Sequence, residues 1–283
     1  MIRDKKMSVK KKKEPGKKKN LKGFFSGFLS NSKQSWGKRV LIWGLKLGVF
    51  GLFLLLVLFA LVYIGTFGQL PDSTTLTKIK EPDATEVYSK DNKLLGRYYI
   101  ENRSNVTYRE ISPNMINALI ATEDSRFYTH RGVDEWALLR VVFKSILLLD
   151  KSSGGGSTLS QQIVKNIYGR KNYGPLTMPV IKIRESIIAY RLERLYSKEE
   201  ILTLYLNTVP FGENTFGIET AAERFFTVKP GKLTVPQAAT LVGMLKANNF
   251  YNPRINPEKS LQRRNVVIAQ MAKLNYITPC DVI

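Results

Sequence analysis

Two glutamates in this chain stand where a carboxylate is unusual. Glu123 falls in the series Ile116, Leu119, Ile120, Glu123, Phe127, which traces one face of a helix. Glu185 falls in the series Ile181, Glu185, Ile188, Leu192, Leu195 on a second helix. A carboxylate on an apolar face is desolvated, which favours its neutral form; a general acid or base working near neutral pH needs such tuning. Two such acids on inward helix faces suit chemistry at a sugar anomeric centre. The periodicity leaves a structural role open for each. Glu123, for example, is also placed to pair with Arg126 or Arg131, and structural pairs perturb carboxylates too.

Three further stretches carry chemical potential. In GGGSTLSQQIVKN (residues 154–166) the glycines permit close backbone approach, and the helix that follows offers free N–H groups and a positive dipole end. Ser157 and Thr158 add hydroxyls and Lys165 a cation, so the stretch reads as a diphosphate cradle. It lacks the GxxxxGK[ST] spacing of a nucleotide P-loop, and a plain loop before a helix remains the alternative. In IKIRE, Lys182 and Arg184 flank Glu185 and could neutralise a leaving pyrophosphate, or make local ion pairs on a solvated face. The glycines and aromatics of residues 205–226, YLNTVPFGENTFGIETAAERFF, could line a sugar groove or simply pack.

Helices must position nearly all of these groups. Pro113 opens the helix of Glu123, and Asp134 caps another that runs to about residue 149. Residues 151–156 form a loop, and a helix starts near Ser157 or Thr158. The helix of Glu185 runs from about Pro179 to Tyr196. Ser197 with Glu200, and Thr234 with Gln237, make capping boxes, and Pro236 sits early in the last of these helices. Ahead of the helices, TEVYSKDNKLLGRYYI reads as a β-hairpin turning at Asp91-Asn92. The segment 141–149 (VVFKSILLL) is apolar almost all round: it either dips into a bilayer or forms a core helix. The expected fold is mainly α with a small β-hairpin.

The 283 residues carry a net charge of +21, and 43% are hydrophobic. Residues 1–46 hold 13 Lys and 2 Arg against Asp4 and Glu14, so +13 of that charge lies in the N-terminal segment. A basic chain invites a nucleic-acid reading, but no zinc-finger or RRM motif accompanies it, so no nucleic-acid partner is expected. From Leu47 to Leu70 there is no charged residue, enough apolar chain to span about 30 Å of hydrocarbon as a helix. Trp36, Trp43, Tyr63 and Phe67 suit interfacial anchoring, and Lys38, Arg39 and Lys46 place the N-terminus in the cytoplasm. The run is too long for a signal-peptide core and no A-x-A site follows, so it reads as an uncleaved anchor. The expected organisation is a basic cytoplasmic tail (1–40), a single-pass membrane anchor (41–68), a linker (69–84) and a domain outside the membrane (85–283). Cys280 is the only cysteine and His130 the only histidine. An internal disulfide and a His/Cys zinc site are thereby excluded. Any metal must be a hard ion such as Mg²⁺ or Mn²⁺, held by carboxylates and substrate phosphates. No organic cofactor is expected.

Taken in order, EDSRFYTHRG (123–132), GGSTLSQQIVKN (155–166), KIRE (182–185), YLNTVPFGENTFGIETAA (205–222) and RRNVV (263–267) resemble the family 51 peptidoglycan glycosyltransferases, the transglycosylase domain of class A penicillin-binding proteins and their monofunctional relatives. The resemblance covers about residues 85–275. It implies a lysozyme-like helical fold and a bacterial cytoplasmic-membrane location. It implies lipid II as acceptor, the growing lipid-linked glycan as donor, a β-1,4 glycan as product and release of undecaprenyl diphosphate by inverting transfer. Membrane lipids and other cell-wall synthesis proteins are the implied partners.

Carried onto this chain, the family pattern makes Glu123 the base that takes the acceptor 4-hydroxyl proton. It makes Glu185 the group that assists departure of the diphosphate, directly or through a transient divalent ion. Gly156, Ser157, Thr158, Gln161, Gln162, Lys165, Asn166, Lys182 and Arg184 then bind diphosphate and sugar. Asp124, Phe127, His130, Asn207, Phe211 and Gly212 shape the substrate site. The chain departs from the pattern at Ile181, where the family usually has Arg; Arg170, Lys171 or Arg184 could restore the charge. Two rival readings are a lysozyme-like glycan hydrolase, which has no use for a diphosphate cradle, and a catalytically idle membrane scaffold. No S-x-x-K, S-x-N and K-T-G set is present in these residues, and the ending NYITPCDVI suggests the N-terminal piece of a bifunctional enzyme.

Overall fold

The structure, a computed structural model, describes residues 36–77, 79, 85–91, 94–98, 105–140 and 156–278. The basic run 10–19, the apolar segment 141–149 and the glycines at 154 and 155 lie outside the described residues. The chain divides after Leu56 into two units.

The apolar helix spans Trp36–Tyr63, and its best window has a mean hydropathy of 2.7. At 28 residues it is about 42 Å long, enough to cross a bilayer. Of its residues only Val62 is buried, so its apolar surface has no protein covering. The helix stops short of the expected boundary at 68. Gly65 and Gly68 adopt φ of 88° and 100°, a left-handed conformation that ends a right-handed helix. The expected linker also contains structure. Residues Ser73–Thr77 form a helical turn that places Leu76 fully inside the core, and Tyr196 Oη donates to the Leu76 carbonyl at 2.9 Å.

The second unit is built of helices around one core. Pro113–Glu123 packs on Val235–Met244 and Pro257–Lys273, and Leu159–Tyr168 packs on Thr177–Leu195 and Lys198–Thr208. Met115, Leu119, Ile163, Ile201, Leu241 and Met271 are all fully buried between them. Each such side chain contributes about 1.5–3 kcal/mol relative to exposure. The helix starts follow the sequence signals. Ser112 Oγ accepts from Asn114 N at 3.2 Å ahead of Pro113, and capping boxes form at Thr158/Gln161, Ser197/Glu200 and Thr234/Gln237. Asp134 Oδ1 accepts from Ala137 N at 3.0 Å and caps the helix that occupies 135–140.

The expected hairpin pairs Thr85–Tyr88 with Leu94–Tyr98 antiparallel, with a bulge between Val87 and Tyr88. A second, unexpected ribbon pairs Pro210–Gly212 with Thr215–Phe216. Its two-residue turn has positive φ at Glu213 (50°) and Asn214 (55°), the geometry that matches strand twist in tight hairpins. The fold is mainly helical with small two-stranded ribbons, as the sequence pattern implies.

Candidate active site

Glu123 is the last residue of its helix and half-buried. Its Oε2 accepts from the Gln162 amide at 3.0 Å, and Gln162 Oε1 in turn accepts from Tyr205 Oη at 3.1 Å. Tyr205 is fully buried, and burial together with the nearby Glu123 charge raises its phenol well above the ordinary value. The tyrosine therefore stays a proton donor, fixing the amide so that its N–H side faces Glu123. Among the described residues Oε1 of Glu123 has no partner, so one carboxylate oxygen is available to a substrate proton. Neither Arg126 nor Arg131 pairs with Glu123; Arg126 instead meets Asp134 at 3.4 Å.

Gln162 also walls a cleft of about 850 Å³. Lys165, Asn166, Gly212, Asn214, Lys246, Asn248 and Asn249 line the same space. Side-chain amides both donate and accept, which matches sugar hydroxyls, while Lys165 and Lys246 supply positive charge. A cleft of this volume takes a ligand of disaccharide size. At Gly212, φ 87°, an added Cβ would lie 3.3 Å from Asn248 Cβ, so a larger residue would crowd that wall of the cleft.

Glu185 lies apart from that cleft, beside a pocket of about 50 Å³ shared with Lys171 and Arg184. It is buried, yet its surroundings are not apolar. Arg170 Nε and Nη2 both reach Oε1 at 3.0 Å, and Lys182 Nζ donates to Oε2 at 2.7 Å. Lys182 Nζ also donates to Ser157 Oγ at 2.8 Å, tying the glutamate to the segment that precedes the Gln162 helix. Two cations on one carboxylate leave a net positive charge. Of Arg170, Lys171 and Arg184, the residues expected to offset an apolar side chain at 181, Arg170 is the one that pairs with Glu185; Ile181 itself is buried. Both carboxylate oxygens already accept from cations, and the described residues contain no cluster of three metal-ligating side chains. This donor set does not fit a resident divalent ion.

Arg184 points elsewhere: its guanidinium donates to the carbonyls of Phe67, Gly68 and Gln69. The helix N-terminus expected to cradle phosphate is largely satisfied from within. Leu159 N donates to Asp124 Oδ2 at 3.0 Å, Gln161 N to Thr158 Oγ1 at 3.3 Å, and Thr158 N to Gln161 Oε1 at 3.1 Å. Of this stretch Lys165 is exposed, and Gly156 and Ser157 are half-buried.

The remaining expected residues position the site rather than line it. Asp124 accepts from His130 Nε2 at 3.0 Å as well as from Leu159, and Thr158 Oγ1 donates to the Gly132 carbonyl at 2.6 Å. Gln161 Nε2 donates to Ser186 Oγ at 2.9 Å, joining the helices of Gln162 and Glu185. Phe127 and Phe211 are core residues with no exposed surface. Asn207 clamps the backbone of Val106, donating to its carbonyl at 3.0 Å and accepting its N–H at 3.2 Å. Sequence reasoning missed Tyr205, the cleft amides at 248 and 249, and a buried ion pair in which Lys198 Nζ reaches Glu193 Oε2 at 2.6 Å and the His130 carbonyl at 2.8 Å. Glu193 and Lys198 look like members of an ordinary charged helix end, so spacing alone had no signal for them.

A family model described as Transglycosylase matches residues 91–272. Penicillin-binding protein 1A of Aquifex aeolicus is 36% identical over 236 residues, covering 83% of this chain and 32% of that protein. Penicillin-binding protein 1A/1B of Bacillus subtilis is 40% identical over 240 residues, 80% of this chain and 25% of that protein. The chain thus spans only a quarter to a third of the length of these relatives. A crystal structure of penicillin-binding protein 1A from Haemophilus influenzae aligns with 72% of this chain and 20% of that one, at 22% identity and a TM-score of 0.40, too low to show a shared fold. The chain belongs to the transglycosylase family.

Proposed function

We propose that this chain is a membrane-anchored peptidoglycan glycosyltransferase that polymerises lipid II into β-1,4-linked glycan with release of undecaprenyl diphosphate. The observation that carries the reading is Glu123, hydrogen-bonded to a Gln162–Tyr205 relay whose two members line an amide-rich, cationic cleft. In the transfer step the acceptor 4-hydroxyl oxygen forms a bond to the donor anomeric carbon while its proton passes to Glu123. The bond from that carbon to the diphosphate oxygen breaks on the opposite face, inverting the centre, and the diphosphate leaves with the electron pair.

Lys182 and Arg170 offset the charge that develops on that leaving group, with Glu185 holding both cations in place. Ser157 accepts from Lys182, and Lys165 adds positive charge to the Gln162 cleft. Glu185 would be the residue to meet a divalent ion carried in on the substrate diphosphate, and such an ion would supply positive charge to the leaving group. The helix Trp36–Tyr63 anchors the chain in the cytoplasmic membrane, with the N-terminal basic segment inside and the catalytic unit outside. Incubation of the full chain with lipid II tests the reading: glycan polymer is the expected product. Failure to polymerise lipid II, with cleavage of finished glycan instead, would make the chain a hydrolase.

A further inference from the structure

A second large groove lies away from the cleft. It holds about 710 Å³ and is lined by Phe59 and Tyr63 of the apolar helix together with Val133, Trp136, Ile187 and Tyr190. Trp136 is 67% exposed and Tyr190 48% exposed, large aromatic surfaces left uncovered. Four arginines line the same groove, at 126, 131, 191 and 194, against a single acid, Glu135. Two of them are committed: Arg126 to Asp134 at 3.4 Å, and Arg191 to the Pro71 carbonyl at 2.9 Å with its guanidinium 6.0 Å from the Tyr63 ring centroid. The side chains of Arg131 and Arg194 are exposed and have no hydrogen-bond or ion-pair partner among the described residues.

We infer that this groove binds one anionic glycerophospholipid of the surrounding bilayer, its phosphate on Arg131 and Arg194 and an acyl chain along Phe59, Trp136 and Ile187. Three features select that occupant. The groove begins at the last turns of the helix proposed to cross the membrane, so its apolar floor continues the lipid-facing surface. Exposed Trp and Tyr beside arginine is the composition that settles at the headgroup level. The planar guanidinium fork matches phosphate oxygens, and the excess of cations over Glu135 rejects a neutral headgroup. Neither Glu123 nor Glu185 lines the groove, although His130 and Ser186 reach it, and the lipid assigned to it is a bound companion and not the substrate. The inference rests on the reading that the helix Trp36–Tyr63 crosses the membrane.

Two measurements on the full chain keep the inference and that reading apart. Retention in the membrane fraction after alkaline carbonate extraction tests the helix. Native mass spectrometry of the chain released from nanodiscs of mixed phosphatidylcholine and phosphatidylglycerol then tests the groove. The wild type should retain one phosphatidylglycerol in preference to phosphatidylcholine. Arg131→Gln with Arg194→Gln should reduce that preference about 25-fold, each arginine near a lipid surface contributing about fivefold. Arg131→Lys with Arg194→Lys should keep most of it, which separates lost charge from lost fold. Added lipid II should not displace the retained lipid. A carbonate-resistant chain that shows no preference, a glutamine variant that keeps it in full, or displacement by lipid II would each overturn the assignment.

Discussion

At Glu185 the chain solves a local problem with a residue from elsewhere in the sequence. The side chain at 181 is apolar and buried, so the positive charge comes from Arg170, beyond the end of the Gln162 helix, and closes on the carboxylate opposite Lys182. Removing Arg170 leaves Glu185 paired with Lys182 alone, so the cluster loses its net positive charge. Arg170→Ala should therefore lower kcat for lipid II polymerisation by at least about tenfold, with Arg170→Lys recovering part of it. In a double-mutant cycle, Arg170→Ala combined with Glu185→Gln should be little worse than Glu185→Gln alone. Fully additive losses would show that the two residues act independently. Tyr205 makes a second prediction. Its hydroxyl donates to Gln162, so Tyr205→Phe should cost about 1 kcal/mol of stability and reduce turnover by misorienting the amide that holds Glu123. The sign of its pH dependence follows from burial. The folded-state value lies above the unfolded one, so folding loses stability only as pH rises past about 10, where the unfolded phenol ionises. In Tyr205→Phe the alkaline arm of a thermal-melt series should flatten.

The elements were legible in the sequence where their ends are chemically marked. The Pro113 start, the start near Ser157 or Thr158 and the capping boxes at 197 and 234 are local, and the structure places helices there. The hairpin at 213–214 was not legible, because Glu-Asn is a weak turn signal and its strands are only three and two residues long. One bond at the Gln162 helix start was not legible for a related reason: spacing reveals free N–H groups but not the distant Asp124 that occupies one of them. The close approach at Gly132 was equally invisible. At φ 87°, a Cβ there would sit 2.7 Å from the carbonyl carbon and oxygen of Ala189. Gly132→Ala should destabilise the unit by about 2 kcal/mol or more, from both backbone strain and the clash. It should also loosen the Thr158 hydroxyl bond to the same residue's carbonyl. A melting temperature equal to that of the wild type would show that the loop carrying Asp124 and His130 can move away at no cost.

Across the whole molecule, the sequence placed two glutamates on apolar helix faces and left their roles open. Their surroundings differ: Glu123 accepts from Gln162, which lines an 850 Å³ cleft, whereas Glu185 is held between two cations beside a pocket of 50 Å³. The segment 157–162 links the two, Ser157 accepting from the Lys182 that holds Glu185 and Gln162 donating to Glu123, so in the proposed reaction one helix start serves both carboxylates. That division of labour could not be read from periodicity, because a helical wheel reports which face a residue occupies and not which partner awaits it. The account's central claim is that Glu123 is the base. The most direct test is the initial rate of lipid II polymerisation by full-length Glu123→Gln in the same membrane mimic as the wild type, with thermal melting measured in parallel. The expected result is a loss of at least about 100-fold with an unchanged melting temperature; near-normal polymerisation by the folded variant would contradict the account.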